Sequence, residues 1–205
     1  MSFFHNNALA GASGQTTGGD SDAYQIEKSL RFNSADSAYL SRTPGSAGNQ
    51  RTWTWSGWVK FGEVIDNKQQ HIWDAWVDSS NYVLFDCDDM LRLKATVGGS
   101  TKVELQCNRE LRDPSAWYHL QVVVDTTNTT QEDRVRIYVN GHRETSFSTA
   151  TYPAQDQKLE LNKASLETTI GKRLTSYFDG YMTDVHFIDG LASVSYTHLT
   201  LPTKA

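Results

Sequence analysis

Cysteine is nearly missing from this chain: Cys87 and Cys107 are the only two among 205 residues. Two are too few for a disulfide framework, and they do not stand at metal-knuckle spacing. Both end segments that read as strands, so they are expected as small buried residues. A basic surplus is missing too. With a formal net charge of −5, the chain has no excess of cations to displace counterions from a nucleic acid or to seek an anionic membrane. Neither nucleic acid nor membrane is expected as a partner, and no apolar run approaches the ~18 residues of a helical span. Met1 to Asn7 lack the basic start and apolar stretch of a signal peptide, so cytoplasmic synthesis is expected.

No stretch carries a convincing helical stripe. What is there has a period of two. Val103, Leu105 and Cys107 alternate with Glu104 and Gln106; Val135, Ile137 and Val139 alternate with Arg136 and Tyr138. Leu91, Leu93 and Ala95 alternate with Arg92, Lys94 and Thr96, and Tyr118, Leu120, Val122 and Val124 share one face of another segment. Each predicts a strand with one dry and one wet face, as antiparallel sheets allow. Asn140-Gly141 and Gly98-Gly99 sit between such segments and supply the positive φ of tight hairpins, and Asp88-Asp89 closes another. In Thr52 to Lys60, Trp53 and Trp55 share a face and Trp58 falls out of phase. That predicts a bulge at Gly57 turning Trp58 inward, or else one Trp left on the opposite face. Six Trp, nine Tyr and eight Phe are enough to fill one two-sheet interior. The Gly, Ala, Ser and Thr of Ala8 to Asp22 cannot, so 1–25 is expected as a flexible arm and 26–190 as the domain.

Several segments, in order, carry a resemblance. Ser29-Leu30-Arg31-Phe32, Ser37 to Arg42, Trp55 to Lys60, Trp117 to Leu120, Ile137 to Gly141 and Phe178 to Val185 resemble the strands of laminin-G-like, concanavalin A-like domains. The resemblance implies an all-β, two-sheet antiparallel jelly-roll sandwich, with the opening strand (Leu30, Phe32) near the closing one (Tyr181, Val185, Phe187). The wording Ala38 to Pro44 and His186 to Gly190, with the His5-Asn6-Asn7 start, is similar to structural proteins of marine bacteriophages. That implies a virion component of tail or fibre, made in the host cytoplasm. Val194 to Thr203 resembles a translated sequencing adapter, which implies a truncated metagenomic product and a non-native or disordered tail at 191–205.

The chemistry is sparse. A glycoside hydrolase on this fold needs two carboxylates about 5 to 9.5 Å apart across a cleft. No Glu-x-Asp-x-Glu run supplies them; Asp86 with Asp88, and Asp179 with Asp184, read as turn or edge groups. His119, His142 and His186 stand isolated. No cofactor is required, although the resemblance implies calcium at one rim. Asp86, Asp88 and Asp89, and Asp74 with Asp78, read as loop-edge oxygens for such an ion or as solvated turns. Trp76, Asn81 and Tyr82 surround one loop and suit an aromatic shelf for a sugar ring, unless they are core. The resulting expectation is a non-catalytic host-recognition module binding cell-surface glycan. The alternatives are a virion scaffold or decoration protein that touches only other virion proteins, and a glycoside hydrolase. A homo-oligomer is compatible with any of these, but no trimerisation motif is present.

Overall fold

The computed structural model describes residues 28–62 and 69–193. The expected arm, 1–25, and the stretch 194–205 lie outside the described residues. In chain order the strands are β1 (Leu30–Phe32), β2 (Leu40–Arg42), β3 (Thr52–Phe61), β4 (Gln70–Asp78) and β5 (Asn81–Asp88). Next come β6 (Met90–Val97), β7 (Ser100–Glu110), β8 (Tyr118–Asp125), β9 (Val135–Val139) and β10 (His142–Arg143). The last are β11 (Phe147–Thr151), β12 (Thr168–Ile170), β13 (Lys172–Arg173), β14 (Ser176–Tyr177) and β15 (Gly180–Asp189). Among the described residues, no helix is long and apolar enough to cross a membrane.

These strands form a six-stranded sheet, β1-β15-β3-β8-β9-β10, and a seven-stranded sheet, β11-β7-β6-β5-β4-β12-β2, with β13-β14 as a separate hairpin. All pairings are antiparallel. The two-sheet antiparallel sandwich that the resemblance implied is therefore what the chain builds, from strands that the alternation predicted. Val103, Leu105 and Cys107 of β7 and Leu91, Leu93 and Ala95 of β6 are buried in one core with Val135, Ile137 and Val139 of β9. Both cysteines are free and buried in it. Burial holds both thiols well above their usual range, Cys107 at about 12, so they stay protonated.

Aromatic rings join the layers. Trp53 of one sheet meets Trp73 of the other at 5.5 Å, and Phe187 stacks on both at 5.7 Å. Trp55 meets Phe85 across the interior at 5.4 Å, edge to face. The indole N–H groups of Trp53 and Trp55 have no acceptor among the described residues. An unpaired N–H costs about 1–3 kcal/mol. Burying a Trp removes about 150–250 Å2 from water, worth roughly 4–6 kcal/mol, so the apolar gain wins.

The expected bulge at Gly57 is corrected. β3 alternates without interruption, with Trp53, Trp55, Gly57, Val59 and Phe61 buried, and its register with β8 is continuous. Trp58 stays on the outer face, its ring 5.2 Å from His119. The irregularity lies in the neighbour: β15 places Asp184 and Val185 opposite Gly57 alone, with Asp184 at φ 48°. That extra residue brings Val185 and Phe187 onto the core side after Gly180 and Met182. β1 does pair with β15, but Leu30 faces Met182 and Phe32 faces Gly180; Tyr181 opposes Arg31. The hairpin turns are as expected: Asn140 and Gly141, and Gly98 and Gly99, all have positive φ. After Asn140-Gly141 only His142 and Arg143 pair back; Phe147 begins β11 in the other sheet. Residues 191–193 continue past β15, where the Thr54 hydroxyl donates to the Leu191 carbonyl and accepts from the Ser193 N–H.

Gly180 fixes where β15 starts. Its φ is 149°, and a Cβ there would stand 2.2 Å from the Lys60 carbonyl oxygen and 2.9 Å from the Phe178 ring. Gly180→Ala should therefore lower stability by about 2 kcal/mol, read as a shift in urea midpoint. An unchanged midpoint would mean that the two strands move apart at little cost.

Candidate functional site

Strand alternation sends Asp74 and Trp76 of β4, Tyr82 and Asp86 of β5, and Arg92 and Lys94 of β6 to the face of the seven-stranded sheet turned away from the core. Trp76 and Tyr82 are direct cross-strand partners, and so are Asp86 and Arg92. Facing pairs on one side of a sheet lie within contact distance. The two rings accordingly stack at 5.7 Å with 21° between their planes.

This face is not wet. Asp74 is 1% exposed and Asp86 is fully enclosed. Arg92 grips Asp86 side-on, with Nη2 at 2.6 Å and Nε at 3.1 Å from its two oxygens. Arg173, brought in by the β13-β14 hairpin, binds both Asp74 oxygens through Nη1, at 2.6 and 3.3 Å. Its guanidinium carbon also lies 4.6 Å from the Trp76 ring centre and 4.3 Å from that of Tyr82, within cation–π range of both. Burial pushes the Asp74 carboxyl up to about 7, with Arg173 pulling the other way. Burial likewise raises Asp86 against Arg92. His71, 3.8 Å from Asp86, is held down at about 4 by its own burial and by Arg173 and Arg92.

Beside the rings opens a pocket of about 190 Å3 lined by Asp74, Trp76, Glu167, Thr169, Lys172, Arg173 and Leu174. Thr169 is paired with Asp74 across β12 and β4, and its hydroxyl donates to the Lys172 carbonyl at 2.7 Å. Lys172 holds its ammonium 3.9 Å from the Tyr39 ring centre and 5.9 Å from that of Tyr177. Tyr39, just before β2, Leu40 at its start and Leu174 in the β13-β14 turn are exposed nearby.

The structure brings Trp76 and Tyr82 together and sets Asn81 to other work. The Asn81 amide donates to Asp78 at 3.0 Å and accepts from the Gly98 N–H at 2.8 Å, tying two turns together. Nor is the shelf an open plate, because each ring faces the other and Arg173 lies over both. The acidic residues read as loop-edge ligands are corrected likewise. Asp74 and Asp86 sit mid-strand under arginines. Asp78 caps its own turn through Ser80 N–H at 2.7 Å, and Asp89, at φ 58°, pairs with Arg112 at 3.2 Å. Asp88 stands at the end of β5 opposite Met90. No three metal-ligating side chains group among the described residues, and the best-placed oxygens already bind guanidinium, so the residues present do not fit a calcium ion. His119 packs half-buried on Trp58 with its imidazole pulled down by burial; His142 and His186 are exposed. Asp179 offers its backbone N–H to Gln70 at 2.8 Å, and Asp184 occupies the β15 bulge.

Sequence reasoning missed Arg173, Lys172, Glu167 and Thr169. They lie about a hundred residues beyond Trp76, in or just before strands of two or three residues too short to show a period.

A family model described as the concanavalin A-like lectin/glucanases superfamily matches residues 33–195. No curated protein matches the chain in sequence. Among solved structures, domain 4 of the extracellular arabinanase AbnA from Geobacillus stearothermophilus, in complex with arabinotriose, is similar at TM-score 0.53 and 14% identity. That match covers 77% of this chain and 69% of that one. The heptameric SAP-like pentraxin of Limulus polyphemus is similar at TM-score 0.50 and 17% identity, covering 73% and 68%. The binding domain of botulinum neurotoxin serotype D gives 0.53 at 10% identity, covering 76% of this chain and 37% of that one. At such identities the likeness is one of fold.

Proposed function

This chain belongs to the concanavalin A-like lectin/glucanase superfamily, and from that premise we propose that it is a non-catalytic module of a phage particle. It binds cell-surface glycan through the pocket beside Trp76, in the service of host recognition. The pocket carries the reading. It sets the Trp76 indole, which suits the apolar C–H patches of a sugar ring, beside groups of both charges and a hydroxyl that suit its hydroxyls. The neighbour solved with arabinotriose shows that a domain of this fold can hold a saccharide. The particle context rests on the similarity of Ala38 to Pro44 and His186 to Gly190 to phage structural proteins.

Against hydrolysis stands the state of Asp74: both oxygens face one Arg173 nitrogen, and the side chain is 1% exposed. A general acid has to reach the glycosidic oxygen it protonates. The test is a glycan array on the purified full chain, beside Trp76→Ala. At least one cell-surface glycan should bind, and the substitution should weaken it at least tenfold, with the circular dichroism spectrum unchanged. A flat array would remove the reading in favour of a scaffold or decoration protein, recognised by its fixed stoichiometry in particles.

A further inference from the structure

Arg173 is fixed on three sides. Nη1 is bound to Asp74, and the guanidinium carbon lies over the rings of Trp76 and Tyr82. Its Nε and Nη2 have no acceptor among the described residues and are not enclosed, and the side chain is 12% exposed. The side-on fork formed by those two nitrogens matches the spacing of two oxygens on a carboxylate or a sulfate. An arginine already held by packing loses little further freedom on binding. Lys172, the next cation on the pocket wall, likewise has no carboxylate partner among the described residues; it rests on Tyr39.

Asp74 does not cancel this, because its oxygens are turned to Arg173 and burial raises its proton affinity. Glu167 does oppose it. That carboxylate lines the same pocket from an exposed position. In water its repulsion is weak and screened by salt, whereas the fork of Arg173 acts by direct contact.

From these observations we infer that the pocket selects an anionic saccharide, one whose carboxylate or sulfate ester is taken by Nε and Nη2 of Arg173, with Lys172 as a second cation. The inference rests on the glycan reading of the same pocket and narrows it. A neutral sugar leaves the fork of Arg173 without its matching pair of oxygens.

The test uses the full chain and two matched pairs of probes, followed by calorimetry. One pair is trigalacturonic acid and its methyl ester; the other is a sulfated galactan oligosaccharide and its desulfated form. The charged member of one pair should bind at least tenfold more tightly than its neutral partner. Which pair discriminates identifies the anion as carboxylate or sulfate. Arg173→Lys, which keeps the charge but removes the fork, should abolish most of that preference, Lys172→Gln should remove a smaller part of it, and Glu167→Gln should strengthen charged binding severalfold. Equal affinity within both pairs would overturn the inference and leave the glycan reading standing. No binding by any of the four probes would also overturn it, and a positive array with other glycans would still uphold the broader reading.

Discussion

Replacing Arg92 with methionine should destabilise the protein by about 3–5 kcal/mol, seen as a large fall in the urea midpoint. Asp86 is fully enclosed, and Arg92 is its bidentate partner at 2.6 and 3.1 Å. With the guanidinium gone, the carboxylate keeps its desolvation penalty and loses the attraction that offsets it. His71, 3.8 Å away, is no substitute, because burial keeps its imidazole neutral near pH 7. The double variant Asp86→Leu with Arg92→Met should recover all but about 1–2 kcal/mol, since an apolar pair of similar size needs no partner. The decisive quantity is the coupling in this double-mutant cycle. If the two losses simply add, the pair is not the unit of stability described here. By contrast, Lys94 and Glu104, each 24% exposed, are paired at 3.0 Å where solvent screens them. Breaking that pair should change little.

The contrast between those pairs shows what the sequence could and could not reveal. Arg92, Lys94 and Glu104 alternate with apolar residues in the same way, and the alternation correctly puts all three on the face away from the core; Asp86, read as a turn group, joins them there because β5 runs on to Asp88. Alternation says nothing about what lies over that face. The β13-β14 hairpin, about eighty residues further along the chain, dries it around β4, while Lys94 and Glu104 remain half-buried farther across the sheet. The same limit applies to the site. Trp76 and Tyr82 flank one two-residue turn, so their pairing was legible from local spacing. Arg173 reaches them only through tertiary folding. The β3 strand failed for a related reason. Trp58 breaks an expectation that tryptophan belongs inside, yet Val59 and Phe61 keep the period intact, and the extra residue needed to seat Val185 and Phe187 was taken up by β15.

The enclosed charges also carry a pH signature, and its sign follows from His71. In an unfolded chain that imidazole titrates near 6.5; in the fold it is held at about 4 by burial and by the positive charges of Arg173 and Arg92. The folded state therefore binds a proton less readily than the unfolded state. The stability tied to the neutral ring is fully present above pH 6.5 and is lost as pH falls towards 4, by about 3 kcal/mol in all. Asp74 and Asp86 act in the opposite sense. Their raised proton affinity in the fold makes them cost stability when ionised, and that cost is relieved as they protonate on the way down. The pH profile of the wild-type protein alone is then a difference of opposed contributions and identifies none of them. Comparison with His71→Gln isolates one, because the carboxyl groups are common to both proteins. Urea unfolding at pH 7 and at pH 4 should show the glutamine variant gaining roughly 3 kcal/mol on the wild type between the two conditions. Parallel profiles would mean that His71 accepts its proton inside the fold as easily as in water. In that case the face around Asp86 would be open to solvent rather than covered.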